Sequence, residues 1–255
     1  ECFGKYAKNI FAIETGLSSD PAMNWRLSSL DNIALISNSD SHSAPKIGRE
    51  ANIFDTELSY NGIMEAIKSG TPNFRKSLKA KKLKNLKTNF IATIEFFPEE
   101  GKYHYDGHRN CEIYLSPEET KKLKNICPKC GKPLTIGVMN RVEKLADRRN
   151  LKIKSQGNYH QSDNQNKVPY YNLITLQEII AEAFDMGTGT KKVKAEYENL
   201  IKTFGSELKI LLEITEEELK EGTAPMVLKG IKIVRTGKVK IRPGYDGEYG
   251  QVKIF

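Results

Sequence analysis

The strongest constraint on the fold is a pair of short metal-ligand motifs in the middle of the chain. Two residues separate His108 from Cys111, fifteen residues follow, and Cys127 and Cys130 repeat the two-residue spacing. Zinc binds thiolates and neutral imidazoles in closed tetrahedral sets, and paired ligands at this spacing are typical of zinc ribbons. The pattern predicts a structural zinc ion that stabilises a small unit over residues 88–150.

Two neighbouring side chains compete for the fourth ligand position. His104 and Asp106 both lie within four residues of His108, and the paired spacing favours His108. The alternative interpretation is that the cysteines are buried thiols without a metal, which does not account for two matched pairs.

The composition is that of an ordinary globular protein. The chain has 255 residues, of which 38% are hydrophobic and 28% charged, enough for the core of one or two domains. The sequence has no apolar run of about 18 residues and does not start like a signal peptide, so we expect neither a membrane span nor secretion, and a cytoplasmic location. The formal charge of +8 suits a polyanionic partner or merely a solvated surface.

The first 75 residues alternate between apolar runs and polar loops, which indicates an α/β arrangement with parallel strands. Each predicted strand is followed by a polar loop, one at 14–20 and one at 37–43. Functional residues of such folds lie at the carboxyl ends of the strands, so both loops are candidates for chemistry. The predicted elements are strands at 10–13 and 33–36 and a helix near 58–69.

The rest of the chain is predicted to contain a linker, two helices and short terminal strands. A basic run at 79–87 is typical of a linker or a solvated helix face, and the polar stretch 152–167 predicts an exposed loop. Apolar residues at helical spacing predict helices at 173–183 and 193–204, joined by the glycine turn 187–190. Residues 229–255 predict strands and tight turns.

The loop at 37–43 contains the triplet Asp40-Ser41-His42. In an extended segment alternate side chains point to the same side, so this carboxylate and imidazole could bind one metal ion. A solvated aspartate beside a capping histidine is the alternative. Two ligands alone do not build a hydrolytic metal site.

Six segments together resemble endonuclease Q, a family of DNA-repair nucleases. The resemblance implies the C-terminal part of a polymerase-and-histidinol-phosphatase (PHP) barrel of the (β/α)7 type at 1–78, a zinc-ribbon-like module at 88–150 and a mixed helical and β DNA-binding domain at 165–255. The fold class is therefore α/β plus α+β. The segments are ETGLSSDP at 14–21, SNSDSHS at 37–43, GREAN at 48–52, YHYDGHR at 103–109, CPKCGKPL at 127–134 and PGYDG at 243–247.

The resemblance also implies an activity and roles for particular residues. Enzymes of this family hydrolyse the phosphodiester 5′ to uracil, hypoxanthine or an abasic site, with divalent ions as catalysts. Asp40 and His42 match the last ligand motif of the catalytic cluster, which would hold Zn²⁺, Mn²⁺ or Mg²⁺. Ser18 is the candidate contact to a flipped base. The full set of candidate DNA- or base-binding residues is Glu14, Gly16, Ser18, Ser19, Arg49, Lys191, Lys192 and Tyr245.

Several of these residues have a simpler interpretation. Arg49 could form a local ion pair near Glu50.

Tyr245 and Tyr249 are expected to be exposed beside positive charge and available to DNA. Most other aromatic side chains are expected to pack in the core, although they could also stack on bases; these are Trp25, Phe96, Phe97, Tyr103, Tyr105, Tyr170 and Tyr171.

The sequence departs from the family at one important point. A PHP domain normally opens with an H-x-H motif and takes further ligands from early strands, and this chain contains neither. We therefore expect a C-terminal portion of a nuclease that cleaves weakly or not at all without those N-terminal ligands. The expected partners are double-stranded or single-stranded DNA with deaminated bases, and helicase or sliding-clamp proteins, with no membrane.

Two other functions remain open. The first is a PHP-type phosphoesterase that acts on a small phosphate ester, although such a substrate needs neither a zinc module nor a basic surface. The second is a non-enzymatic zinc-ribbon module that binds nucleic acid in association with a helicase. Steep salt dependence would separate the second from the first.

Overall fold

The structure is a computed structural model that describes residues 3–71, 88–148, 151–164 and 167–255. The chain divides into two compact units. The first contains the residues up to 155 together with 159–171 and 242–251, and the second contains 156–158, 172–241 and 252–255. The predicted basic run at 79–87 lies outside the described residues. No helix in the described ranges is long and apolar enough to cross a membrane.

The strands and helices are numbered in chain order. The strands are β1 (Ala12–Glu14), β2 (Ala34–Ile36), β3 (Ala51–Asp55), β4 (Asn89–Glu95), β5 (Asp106–His108), β6 (Ile113–Leu115), β7 (Ile153–Gln156), β8 (Tyr159–Ser162), β9 (Tyr170–Asn172), β10 (Lys240–Arg242) and β11 (Gln251–Lys253). The helices are α1 (Pro21–Asn24), α2 (Tyr60–Ser69), α3 (Pro117–Lys122), α4 (Val138–Leu145), α5 (Leu176–Ala183), α6 (Lys191–Phe204), α7 (Glu207–Leu212), α8 (Glu216–Gly222) and α9 (Pro225–Arg235). Short 3₁₀ turns occupy Gly4–Asn9, Ser28–Leu30, Ala44–Lys46, Pro98–Glu100 and Arg109–Cys111.

Strands β1 and β2 form the predicted parallel pair. Their register joins Ala12 to Ala34 and Glu14 to Ile36, so the two strands end side by side. The two polar loops consequently start at the same edge of this small sheet, as the sequence predicts.

A five-stranded sheet in the order β3-β4-β9-β8-β7 supports the first unit. Strands β3 and β4 are antiparallel, with a register irregularity between Ile53 and Phe54. The apolar core beside it contains two small clusters, one around Trp25, Leu35 and Tyr170 and one that includes Phe90. The rings of Trp25 and Tyr170 meet edge to face at 5.6 Å, a favourable arrangement for aromatic side chains.

The second unit is a helical bundle. Helices α5 and α9 pack so closely that a Cβ atom on Gly230 would lie 2.8 Å from Ile179 Cγ2. The hydroxyls of Thr175 and Thr215 accept hydrogen bonds at the starts of α5 and α8, which satisfies backbone amides that the helices cannot pair internally. The two predicted helices and their glycine turn are confirmed as α5, 184–190 and α6.

Two predictions of secondary structure were wrong, and two helices were missed. The stretch 152–167 contains β7 and β8 and is not one irregular loop, because its strands are paired in the sheet without an alternating apolar pattern. Residues 229–235 belong to helix α9, where Val227, Ile231 and Val234 are buried at helical spacing. Helices α7 and α8 were not predicted at all.

Candidate metal centre and polar loop cluster

The four predicted zinc ligands come together in the first unit. The ligand atoms of His108, Cys111, Cys127 and Cys130 all lie within 4.8 Å of one another. A tetrahedral site with metal–sulfur bonds of about 2.3 Å has edges of roughly 3.8 Å, so small side-chain movements suffice to enclose an ion. Among the described residues, this is the only group of three or more His, Cys, Asp or Glu side chains with that proximity.

Two tight turns position these ligands. The hairpin β5–β6 presents His108 at the end of β5, and the 3₁₀ turn Arg109–Cys111 follows directly. The second turn is closed by hydrogen bonds from the Cys127 amide to the Lys132 carbonyl, 2.8 Å, and from the Gly131 amide to the Cys127 carbonyl, 2.9 Å. Gly131 has φ +70°, a left-handed conformation that glycine adopts without steric cost.

The thiol of Cys127 ionises more readily than an ordinary cysteine thiol. Burial opposes ionisation of Cys127, but hydrogen bonds from the backbone amides of Cys130 and Lys129 lower its pKa to about 7. Metal binding requires thiolates, so the second turn favours the form that a metal ion needs.

The two competing ligand candidates have structural roles instead. The carboxylate of Asp106 is buried and accepts hydrogen bonds from the Gly137 amide, 2.6 Å, and from Asn140 Nδ2, 2.8 Å, at the start of α4. His104 is only 4% exposed, and burial lowers its pKa to about 4. Neither belongs to the cluster, which supports His108 as the fourth ligand.

The turn at 243–247 packs against the metal module. The amide of Tyr105 donates to the Gly244 carbonyl at 2.9 Å, and the rings of Tyr114 and Tyr245 lie 5.3 Å apart. The prediction that Tyr245 is exposed was wrong: it is 5% exposed, because its ring covers Gly107, where a Cβ atom would lie 2.4 Å from Tyr245 Cδ2. Tyr249 is 66% exposed, as expected.

The 14–20 loop is held from within. Ser19 donates from its hydroxyl to the Thr15 carbonyl at 2.7 Å, and Asp20 accepts a hydrogen bond from the Met23 amide at 2.8 Å, which caps α1. Gly16 has φ +65°, with open space where a side chain would stand. Glu14 and Ser18 are exposed, so these two of the predicted residues face solvent while Ser19 serves the loop itself.

The 37–43 loop is anchored at its first residue. The amide of Ser37 donates to Asn52 Oδ1 at 2.9 Å, Asn52 Nδ2 donates to the Ser37 carbonyl at 2.7 Å, and the Ser37 hydroxyl donates to the Ile94 carbonyl at 2.8 Å. Arg49 supports the middle of the loop, because its Nε donates to the Ser39 carbonyl at 3.0 Å. The Arg49 guanidinium also lies 5.6 Å from the centre of the Phe96 ring.

Asp40 and His42 are both exposed in this loop. The expectation of an extended segment was wrong, because Asp40 has φ +44° in the left-handed region. His42 Nδ1 lies 2.9 Å from the backbone carbonyl of Asp40, so that ring nitrogen pairs with the backbone. Among the described residues, the two do not form part of a group of three or more metal-ligand side chains.

Two buried carboxyl groups near the loops were not predicted. Burial raises the pKa of Glu50 to about 7 and that of Glu95 to about 8. Glu95 Oε2 lies 3.0 Å from the hydroxyl oxygen of Thr15, and the Phe96 amide donates to Glu50 Oε1 at 3.3 Å. A sequence signal was present, since Glu95 stands within the apolar run of β4, where a charged residue needs a specific reason.

In the second unit, Lys191 and Lys192 begin helix α6 and are exposed. The preceding Gly187 and Gly189 have open space around them, and the N-cap residue Thr190 makes no side-chain capping bond. The Lys192 ammonium lies 4.5 Å from the centre of the Phe184 ring. Two exposed lysine side chains therefore stand at this turn.

Three of the seven aromatic candidates belong to the core, and Phe96, Tyr105 and Tyr171 are half-buried. Trp25, Phe97 and Tyr170 are buried, which confirms the expectation for these three. Tyr103 is 52% exposed.

Comparison with known proteins agrees with the sequence resemblance. Residues 175–238 match the family described as the MJ0043 C-terminal domain. An uncharacterized protein, MJ0043 of Methanocaldococcus jannaschii, is 33% identical over 98% of this chain and 29% of its own length. The Bacillus subtilis protein YqxK is 30% identical over 96% of this chain and 53% of its own length.

Two solved structures are similar to most of the chain. The lesion-specific endonuclease PfuEndoQ from Pyrococcus furiosus has a TM-score of 0.76 and 28% identity over 94% of this chain and 54% of its own. Endonuclease Q in complex with a 27-mer duplex that carries an abasic lesion at the active site has a TM-score of 0.71 and 28% identity, over 95% of this chain and 55% of its own. The resemblance to endonuclease Q is confirmed, and the chain spans about half the length of these structures.

Proposed function

We propose, from this similarity to endonuclease Q, that the chain is the lesion-recognising part of a DNA-repair endonuclease that hydrolyses the phosphodiester 5′ to a deaminated base or an abasic site. The observation that carries the proposal is local. The parallel register of β1 and β2 ends both strands side by side, so the exposed Ser18 and the Asp40–His42 motif lie on loops that leave the same sheet edge.

The 14–20 loop suits recognition of a base that has been rotated out of the duplex. Deamination replaces an amino group with a carbonyl, which a hydroxyl or a backbone amide can hydrogen-bond. Ser18 is exposed in this loop, whereas Ser19 and Asp20 hold its shape. Gly16 leaves space for a base, and a damaged base costs less energy to extrude than a paired one.

In the proposed nuclease, Asp40 and His42 contribute to a catalytic site for Zn²⁺, Mn²⁺ or Mg²⁺. Such an ion lowers the pKa of a bound water, which supplies the hydroxide for hydrolysis. The exposed carboxylate and imidazole suit this role, but two side chains are fewer than a catalytic ion needs. We therefore propose that this chain binds lesions but nicks DNA slowly or not at all unless further ligands are supplied.

We assign the His108 cluster to a structural Zn²⁺. Three thiolates and one imidazole form a closed set with no position for substrate. The module of residues 88–148 consists of short elements, so a bound ion would supply part of its folding free energy.

Electrostatic contacts would supply affinity without sequence preference. Lys191 and Lys192, with the turn before α6, are proposed to bind a phosphate through charge and backbone amides. Arg49 supports the 37–43 loop, and its guanidinium is proposed to meet a phosphate as well. We also propose a cytoplasmic location, the default for a chain of this composition. A helicase or sliding-clamp partner is a proposal that rests on the family resemblance alone.

The proposal is tested by lesion-selective binding. We expect the chain to bind a duplex with uracil, hypoxanthine or an abasic site more tightly than an identical undamaged duplex, by fluorescence anisotropy. Ser18→Ala should reduce that selectivity several-fold for uracil and hypoxanthine, while Ser29→Ala, at an exposed serine outside the loop, should not. Equal affinity for all duplexes would favour the non-enzymatic module, and no DNA binding would favour the phosphoesterase.

A further inference from the structure

Glu95 connects the central sheet to the 14–20 loop. It is the last residue of β4 and its side chain is completely buried. One carboxyl oxygen, Oε2, lies 3.0 Å from Thr15 Oγ1, and the other, Oε1, lies 2.5 Å from Thr93 Oγ1. Thr15 is the first residue after β1, so this contact joins the start of the loop to a strand 80 residues away.

The number of protons at this contact indicates the state of Glu95. Thr15 Oγ1 also lies 3.2 Å from the Ile36 carbonyl oxygen. A hydroxyl carries one hydrogen and two lone pairs, so it donates to one of these acceptors and must receive a proton from the other. A carbonyl has no proton to give. Both contacts are satisfied when the Glu95 carboxyl is protonated and donates to Thr15, while Thr15 donates to Ile36.

The surroundings of Glu95 favour the same state. The charged or titratable groups that influence it are Glu50 before β3, Asp20 at the start of α1 and Tyr170 on β9. None of these groups is a cation. Burial, together with the two neighbouring carboxyl groups, raises the pKa of Glu95 to about 8. Burying a carboxylate without a cation is costly, and the group keeps its proton instead.

We propose that Glu95, as an uncharged carboxylic acid, is a positioning residue that holds Thr15 and thereby shapes the 14–20 loop for lesion binding. The inference rests on the proposed function of that loop. The path is short: Glu95 contacts the Thr15 hydroxyl, the Thr15 carbonyl accepts from the Ser19 hydroxyl, and Ser19 adjoins the exposed Ser18. Loss of the proton places a charge in this buried site and removes the donor to Thr15.

The consequence is a pH limit on lesion selectivity. If only the protonated form holds the loop, the ratio of affinities for lesion and undamaged duplexes falls by about tenfold per pH unit once Glu95 ionises. Because undamaged DNA serves as the reference, titration of surface lysines affects both terms of this ratio alike.

The test measures that ratio for duplexes with hypoxanthine and without a lesion, from pH 6.5 to pH 9. With the pKa of Glu95 near 8, we expect wild type to lose about fivefold in selectivity between pH 8 and pH 9. Glu95→Gln, which donates from its amide without titrating, should keep the selectivity and make it independent of pH. Glu57→Gln, at an exposed position, should behave like wild type.

Substitutions of Thr15 provide a second arm that leaves Glu95 in place. Thr15→Ser keeps the hydroxyl and should keep the selectivity, whereas Thr15→Val keeps the shape and should lose it at every pH. An unchanged pH dependence in Glu95→Gln, or full selectivity in Thr15→Val, would overturn the inference. Absence of selectivity in wild type at pH 7 would instead refute the proposed function of the loop.

Discussion

The carboxylate of Asp246 accepts a 2.6 Å hydrogen bond from the backbone amide of Arg109, 137 positions earlier in the chain. Its other oxygen accepts from the hydroxyl of Thr135. Arg109 starts the turn between the metal ligands His108 and Cys111. The turn near the C-terminus thus completes the metal module and is part of its structure.

We predict that Asp246→Asn destabilises this module. Although burial opposes ionisation, the hydrogen bonds from Arg109 and Thr135 hold the pKa of Asp246 below its ordinary value. Asparagine has an NH2 group in place of one carboxylate oxygen, so it cannot accept both hydrogen bonds. Asparagine tolerates the φ of +45° at this position, so the loss reports the hydrogen bonds. We expect a decrease of roughly 1 to 3 kcal/mol in the free energy of unfolding.

Chemical denaturation measures this change. Asp185→Asn is the matched control, because Asp185 also has a left-handed backbone, φ +51°, and is exposed. A change in Asp246→Asn no larger than that in the control would show that the turn at 243–247 does not support the metal module.

Removal of a metal ligand should unfold the module of residues 88–148. Cys127→Ser or Cys130→Ser breaks the four-ligand set, so we expect the zinc content to fall from one equivalent to near zero. Structural zinc sites contribute directly to folding, and a chelator should produce the same loss in wild type. Elemental analysis and circular dichroism measure the two effects.

Cys2→Ser is the control for this experiment, since Cys2 lies outside both paired ligand motifs in the sequence. It should retain one equivalent of zinc. Retention of a full equivalent by Cys127→Ser would contradict the assignment of the cluster.

The ligand set and the parallel strand pair could be predicted because each depends on local sequence. The spacing of His108 and Cys111 identifies half of the metal site, and the apolar runs before the two polar loops identify β1 and β2. The structure agrees with both within one or two residues.

The burial of Tyr245 and Glu95 could not be predicted in this way. Tyr245 is covered through contacts with Gly107 and Tyr114, more than 130 positions away. The pKa of Glu95 is raised by its burial and by two distant carboxyl groups. Spacing along the chain carries no information about such contacts, and the left-handed turn at Asp40 is likewise set by the fold.

Two basic side chains in the second unit are predicted to bind DNA phosphates. The double substitution Lys191→Ala and Lys192→Ala should weaken binding to damaged and undamaged duplexes equally. The slope of log affinity against log salt concentration is negative, and its magnitude should decrease by about 2, since each phosphate contact contributes roughly 0.9. Anisotropy at several salt concentrations measures both quantities.

A matched double substitution removes the same charge elsewhere. Lys202→Ala and Lys220→Ala change exposed lysines of the same unit, at the last turns of α6 and α8. An equal effect of the two double variants would show that net charge alone, and not the start of α6, attracts DNA.

The contribution of Glu95 and Glu50 to the stability of the protein should decrease as pH rises from about 6.5 to 8. The pKa of Glu95 is raised to about 8 and that of Glu50 to about 7, so the native state keeps protons that the unfolded chain has released. Stability is therefore complete below the unfolded pKa and is lost as pH rises through the folded value. One proton corresponds to about 1.4 kcal/mol per pH unit.

His104 does not affect the change in stability above about pH 6.5. Burial lowers its pKa to about 4, so its contribution increases stability with pH up to the unfolded value near 6.5 and is constant above it. Denaturation curves at pH 6.5, 7.2 and 8 give the slope of the free energy of unfolding against pH. In Glu95→Gln this slope should be more positive than in wild type by the equivalent of about one proton. An unchanged slope in this variant would mean that Glu95 is ionised in the native protein.

The ratio of two dissociation constants tests whether this chain recognises lesions in DNA. We would measure the affinity of this chain for a duplex with one abasic site and for the same duplex without it, by fluorescence anisotropy at pH 7, with a nicking gel in Mn²⁺ run on the same samples. We expect tighter binding to the abasic duplex, with little or no nicking until further metal ligands are supplied. Equal affinities for the two duplexes would contradict this expectation.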